Sequence, residues 1–457
     1  MDRRFESRSR ATNRGCRSAA LLACVAVALT LGVVGQAADS PPSFARLTQY
    51  EIGAATLQDV AISDLNGDGK LDLAVSNENS SVYVLLNPGE GKFKARRAFR
   101  TGPDPAALAV GDLNADGEPD LVTANLGSEE AGKTVSVLLN SGGGTLAPRR
   151  DYETGRLPHA VATGDLNGDG KADLAVATAE SVSVLLNVGD GAFVSRRDWQ
   201  TGASPSSVAI GDLNGDAKPD LAITDDDADA VSVLLNSGDA SFETRHDYRT
   251  GEQPVSVAIA DLNGDSKPDV VTANGTGETV SVLASGGDGT LRTRRDYRVG
   301  ASPGSVTIGD LNGDRKPDLA TANFDGGTVS VLANRGDGTF SGRRNYRAGD
   351  SPQKVASGDL SGDRKPELAI TNGEADYSTL SVLRNATGLC AVPRLARKML
   401  PAATKEIDGA GCRLGKIRRV YSKVVRAGRV ISQSPRPGAV LMRGAKVNLV
   451  VSLGRMR

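Results

Sequence analysis

Seven nine-residue segments of this chain place acids and amides at alternating positions, a spacing that turns a short loop into a cluster of oxygen ligands. The first, DLNGDGKLD, runs from Asp64 to Asp72. Asp64, Asn66 and Asp68 offer side-chain oxygens at positions one, three and five, Lys70 a main-chain carbonyl at seven, and Asp72 a further carboxylate at nine. Calcium takes six to eight oxygens of these kinds at about 2.3–2.6 Å, so calcium binding is the chemistry these residues suit. Gly69 at position six supplies a tight left-handed turn. The same set returns as Asp112, Asn114, Asp116, Glu118 and Asp120; as Asp165, Asn167, Asp169, Lys171 and Asp173; and as Asp212, Asn214, Asp216, Lys218 and Asp220. Three further copies hold Asp261, Asn263, Asp265, Lys267 and Asp269; Asp310, Asn312, Asp314, Lys316 and Asp318; and Asp359, Ser361, Asp363, Lys365 and Glu367.

A metal-free turn is the competing reading, because Asp, Asn and Gly favour tight turns by themselves. Charge favours the metal. At positions one, five and nine the loops hold 21 carboxylates within residues 39–389, a region of 51 acids against 32 Lys and Arg. Crowding them without counter-ions is electrostatically costly, and seven Ca2+ would bring the region from −19 to about −5. The copies are graded. Gly69, Gly117 and Gly170 fill position six early in the chain, whereas Ala217, Ser266, Arg315 and Arg364 fill it later. A side chain in that conformation costs about 1 kcal/mol. With Ser361 and Glu367 as further departures, the seventh loop is expected to bind weakest.

Stepping along the chain, the first aspartates lie 48, 53, 47, 49, 49 and 49 residues apart. Between loops four short Val/Ile/Leu-rich segments recur in order; in the fourth repeat they are Val208–Gly211, Leu221–Thr224, Val231–Leu235 and Phe242–Tyr248. Four strands per unit of about 49 residues suit a propeller blade, so the expected fold is all-β, a seven-bladed β-propeller over residues 43–387. Phe44–Tyr50 matches a fourth segment and precedes the first loop, while the last repeat lacks its own. The N-terminal segment is therefore expected to complete the seventh blade and leave no open edge. Phe242 and Tyr248, an even number apart, are expected to face one side as packing residues.

Residues 1–37 read as a signal peptide: an arginine-rich start, an apolar stretch from Ala19 to Gly35, and small residues for cleavage after Ala37. No later stretch is long and apolar enough to span a bilayer, which predicts a secreted protein with no membrane span after cleavage. Cys390 and Cys412 then remain as one pair for an oxidising compartment.

The repeats, with the loops above and the VSVLLN-x-GDG-x-F string that ends at Phe193, resemble the VCBS/FG-GAP family related to the α-integrin propeller. The loops also resemble the opening of an EF-hand, closed by an acid at position nine instead of twelve. The resemblance implies ligand binding on irregular loops away from the metal-bearing face. Those loops are Leu126–Lys133, the acidic run Asp225–Asp229, Asn323–Asp325 and Glu374–Tyr377. An extracellular protein or a glycan is the partner expected there. Arginine pairs such as Arg196-Arg197 blunt outer strand edges and pair with nearby acids. His159 and His246 fall in different repeats and no nucleophile has an evident partner, so an enzyme is not expected. A polysaccharide-active enzyme on this scaffold and a purely structural surface protein are the alternatives.

Residues 390–454 change texture, with a helix expected up to Asp408 and strands around Ile417–Tyr421, Arg429–Ser432 and Lys446–Ser452. The string GRVISQSPRPGAVLMRGAKVNLVVSLG closely resembles the PASTA domain, a small α+β module associated with cell-wall peptidoglycan. Residues 390–457 carry 16 Lys and Arg against 2 acids. That charge independently favours an acidic wall polymer, while export and the lack of base-stacking aromatics argue against nucleic acid. Cys390 and Cys412 flank the expected helix and are expected to form a disulfide.

Overall fold

A computed structural model describes residues 41–456, apart from 54, 90, 94, 128–131, 374–377 and 443. The expected signal peptide lies outside the described residues.

Residues 44–385 form four-stranded antiparallel sheets, seven among the described residues. The fourth repeat makes one from Pro205–Gly211, Asp220–Asp225, Ala230–Leu235 and Thr244–Arg249. The second strand of each sheet is buried along its whole length, as in Asp72–Asn77 and Asp220–Asp225, with an apolar centre flanked at both ends by buried polar residues. The fourth strand is mostly exposed and carries the charged residues.

First strands touch in cyclic order. Leu57–Ser63 meets Pro105–Gly111, the contacts continue through the later repeats, and Pro352–Gly358 returns to Leu57–Ser63. A separate apolar cluster fills the space between each pair of neighbouring sheets. Between the third and fourth sheets it contains Leu166, Val182, Val184, Val208, Leu221, Ile223 and Phe242. Burying each such Val, Leu, Ile or Phe stabilises by roughly 1.5–3 kcal/mol, and neither face of a sheet has an apolar partner of its own.

The last repeat supplies three strands, Pro352–Gly358, Glu367–Asn372 and Ser378–Asn385. Phe44–Gly53 supplies the fourth, with Leu47 opposite Leu383 and Gln49 opposite Ser381. The two ends of the repeat region are thus stitched into one sheet. Phe44 stacks edge-on against Tyr346 at 5.3 Å, and the Tyr346 hydroxyl donates to the Pro42 carbonyl at 2.7 Å.

Phe242 and Tyr248 do not face one side. Phe242 packs towards the third sheet against Trp199, whereas Tyr248 reaches the fifth and donates to the Gly289 carbonyl. The strand begins only at Thr244, so Phe242 sits in the preceding turn, where strand parity does not apply.

In the C-terminal region, Arg413–Val420, Lys446–Ser452 and Val430–Ser434 form a mixed three-stranded sheet, and Leu389–Ala391 pairs with Val440–Met442. The helix Leu400–Gly409 carries Pro401 in its first turn, where the fixed φ of proline is tolerated, and buries Ala403 and Ile407. Cys390 and Cys412 form a disulfide with Cα atoms 5.0 Å apart. No helix among the described residues is long and apolar enough to cross a membrane.

Candidate metal loops and the surfaces around them

Each nine-residue loop joins the first strand of a sheet to the second. In the first loop, main-chain amides converge on the side chains that the sequence marks as ligands. Gly69 donates to Asp64 Oδ2 at 2.7 Å, Asp68 to Asp64 Oδ1 at 3.1 Å and to Asn66 Oδ1 at 2.9 Å, and Lys70 to Asp68 Oδ1 at 3.0 Å. The conformation persists to the seventh copy, where Arg364 donates to Asp359 Oδ2 at 2.7 Å. Position six is left-handed in every copy: φ is +81° at Gly69, +88° at Gly117 and +83° at Gly170, but also +64° at Ala217, +63° at Ser266, +66° at Arg315 and +65° at Arg364. Four side chains therefore occupy a backbone region that glycine enters freely.

Position nine is different in kind. Asp72 is buried, with Oδ2 accepting from Leu65 N at 3.1 Å and Oδ1 from Asn87 N at 2.7 Å. Burial, and secondarily the carboxylates at positions five and one, push the equivalent Asp120, Asp173 and Asp220 up to about 6 and Asp318 to about 7. In the seventh loop the extra methylene carries Glu367 past Leu360, so it accepts instead from Ser361 N and Oγ at 3.0 and 3.1 Å. Glu367 is likewise pushed up to about 7, chiefly by burial.

These carboxylates are hard oxygen donors with an excess of negative charge, which fits a divalent cation such as calcium. The side chains are nonetheless turned towards amides and lysines. Lys70 Nζ lies 3.0 Å from Asp68 Oδ2 and Lys171 Nζ 2.8 Å from Asp169 Oδ2, and the lysine holds each carboxyl below its usual range. Among the described residues no three His, Cys, Asp or Glu side chains stand grouped as a metal cluster.

The asparagine that closes VSVLLN has a structural role that its own sequence neighbourhood does not reveal. Asn236 is buried and its Nδ2 donates to Leu166 O of the preceding loop at 2.8 Å and to Pro219 O of its own loop at 2.9 Å. Asn87, Asn140, Asn187, Asn334 and Asn385 repeat the bridge. Each therefore ties two consecutive loops together. A fixed asparagine beside an apolar run was the available signal, but its acceptor lies about seventy residues back.

On the outer strands the arginines pair with acids, as expected: Arg196 with Asp198 at 2.9 Å, Arg245 with Asp247 at 2.7 Å and Arg149 with Asp151 at 3.1 Å. Several also reach neighbouring sheets. Arg97 donates to Gly143 O at 2.9 Å and Arg150 to Asp190 O at 2.9 Å.

The irregular loops are only partly available for binding. Asp225 is buried and accepts from Ala203 N at 2.6 Å and Ser204 N at 3.2 Å. Asn323 is buried too, donating to Thr328 and Ser330. Both therefore hold the turn and are not open to a partner; Phe324, 40% exposed, is. Residues 128–131 and 374–377 of the other two loops lie outside the described residues. On the first strands, half-buried Asp59 accepts from Leu108 N at 2.9 Å, a role that Ser207, Ser256 and Ser305 take at later sheets. Lys354, on the adjoining strand of the last sheet, favours the ionised form of Asp59 against a larger opposing effect of burial. His159 precedes a first strand and His246 lies on a fourth strand of another sheet, so the structure does not bring them together.

The FG-GAP-like repeat model matches residues 64–123, 124–176, 165–223, 212–272, 261–321 and 310–370. The chain belongs to the FG-GAP-like repeat family. Six matches span all seven loops, because every match except the second contains two. A PASTA domain matches residues 391–453. Among solved structures, this FG-GAP-like protein is similar to BBS1N in complex with ARL6DN, soaked with lead, at 14% identity and TM-score 0.54 over 76% of this chain and 98% of that one. The mercury-soaked form gives 14% and 0.52, over 76% and 97%. An Agrocybe aegerita lectin, described for recognition of non-reducing terminal N-acetylglucosamine, gives 24% and 0.47, over 64% and 80%. The BBS1N similarity carries a propeller-like fold. No curated protein matches the chain.

Proposed function

We propose that this protein is a secreted binding protein of the cell envelope: a calcium-stabilised, seven-bladed propeller as interaction platform, and a basic PASTA domain for attachment to peptidoglycan or another acidic wall polymer. The observation that carries the calcium reading is the ninth-position carboxyl. Burial, and secondarily the charges of the carboxylates at positions five and one, oppose its ionisation, an opposition that a divalent ion would relieve. In the first loop Asp64, Asn66, Asp68, the Lys70 carbonyl and Asp72 would hold the ion, and their counterparts would do so elsewhere. Calcium would displace the lysines from position five and neutralise the loop.

The wall reading rests on the PASTA match and on the 16 bases that residues 390–457 carry against 2 acids. Cell-envelope localisation accords with both families. The platform binds rather than catalyses in this reading, and its partner is an extracellular protein or glycan.

Calcium is tested by melting the protein with calcium and with chelator. Extracellular modules bind calcium at about 10⁻⁴–10⁻³ M, so millimolar calcium is expected to raise the melting temperature by several degrees. Calorimetry is expected to resolve weaker sites among the later loops. A melting curve indifferent to chelator removes calcium from this account. Co-sedimentation with purified peptidoglycan tests the wall reading separately.

A further inference from the structure

One end of the C-terminal domain exposes large apolar side chains. Val424 is 83% exposed, Met456 76%, Tyr421 56%, and Met399 and Leu453 45% each. Across the rest of the described chain only Val188, Val194 and Phe324 are comparable. Backbone bonds gather this set. Leu453 N donates to Val420 O, Ser422 N to Gly454 O and Leu400 N to Gly428 O, while the Met399 side chain lies beside Gly428.

Cations surround it. Lys423, Arg426, Arg429 and Arg455 lie in the same segments, and residues 420–429 and 453–456 contain no acid. Arg397, Arg426 and Arg429 join Val424 and Val425 around a cavity of about 290 Å³. The domain's two acids lie on the helix, where Glu406 is held by Lys398.

We propose that this end of the domain docks on a membrane surface bearing anionic phospholipid. Arg397, Arg426 and Arg429 receive the phosphate headgroup, and Val424 and Tyr421 enter the acyl boundary. Charge complementarity selects an anionic occupant, worth about fivefold in affinity for each Lys or Arg at such a surface. The apolar set then selects a bilayer over a soluble polyanion, because a polymer in water would satisfy the arginines and leave Val424 and Tyr421 wet. The inference is independent of the calcium and wall readings.

The test is sedimentation of the full secreted chain with phosphatidylcholine vesicles, with and without phosphatidylglycerol, over a range of salt. Binding is expected only to the mixed vesicles and is expected to weaken with salt. Val424→Ser and Arg426→Gln are each expected to weaken it by about five- to tenfold with unchanged melting curves, since both side chains are exposed. Failure of the parent to bind mixed vesicles overturns the proposal. So does parent-like vesicle binding by Val424→Ser, which would make the patch a basic surface for polyanions only; binding to purified peptidoglycan reports on the wall reading whichever way the vesicles fall.

Discussion

At the scale of the residue, the chain is held together by polar side chains that the repeat places where two sheets meet. Asn236 satisfies two buried carbonyls, Leu166 O and Pro219 O, from one amide. Asn236→Ala leaves both without that donor and is expected to cost about 2–4 kcal/mol, seen as a lower denaturant midpoint with little change in slope. Such a residue is not legible as structural because the acceptor is a main-chain atom one repeat away; the oxygen-rich loops proposed to hold calcium are legible because nine consecutive residues carry the pattern. His159 offers a second test. Burial holds its imidazole below the usual range, with Lys354 adding to the effect and Asp226 opposing it. A depressed histidine pKa contributes stability that is present above the unfolded value and is lost as pH falls through the folded one. Acidification from about pH 7.5 to about pH 5 is therefore expected to lower the melting temperature more in the parent than in His159→Gln. Equal losses would show that this histidine does not set the pH response.

At the scale of the element, the decisive piece is the strand Phe44–Gly53. Without it Ser378–Asn385 presents an unpaired edge, and the contacts of Phe44 with Tyr346 and of Tyr50 with Phe93 at 5.5 Å disappear. Removing residues 41–53 is expected to broaden the unfolding transition and promote association through the open edge, as read by calorimetry and light scattering. A truncated chain that melts like the parent and stays monodisperse would count against the clasp. The sequence supported this pairing because the unpaired first segment and the incomplete last repeat are complementary defects. It did not show that Phe242 and Tyr248 pack towards different neighbours, since their spacing assumed one continuous strand. Nor did it place the helix start at Leu400, which depends on where residues 395–399 turn to let Met399 bridge to Arg429.

At the scale of the whole molecule, repetition made the architecture readable, because each sheet buries its faces only against its neighbours and every neighbour follows the same pattern. What repetition hides is the surface that breaks it. Asp225 and Asn323 looked like candidates for a partner, yet buried amides and hydroxyls use them, because a turn between two strands must satisfy its own backbone. The apolar set around Val424 is not legible in the sequence, since exposure belongs to tertiary placement and not to residue type.

The pairing of Phe44–Gly53 with Ser378–Asn385 also governs when the protein can finish folding. Its two halves leave the ribosome more than three hundred residues apart, so sheets made early must wait as an open arc, however stable each contact is once formed. Long-range closure of this kind is slow. Under the proposed export of the chain in an extended form, that delay would keep the ring unsealed until its last strand has crossed, and the compartment of arrival would be the one that completes it.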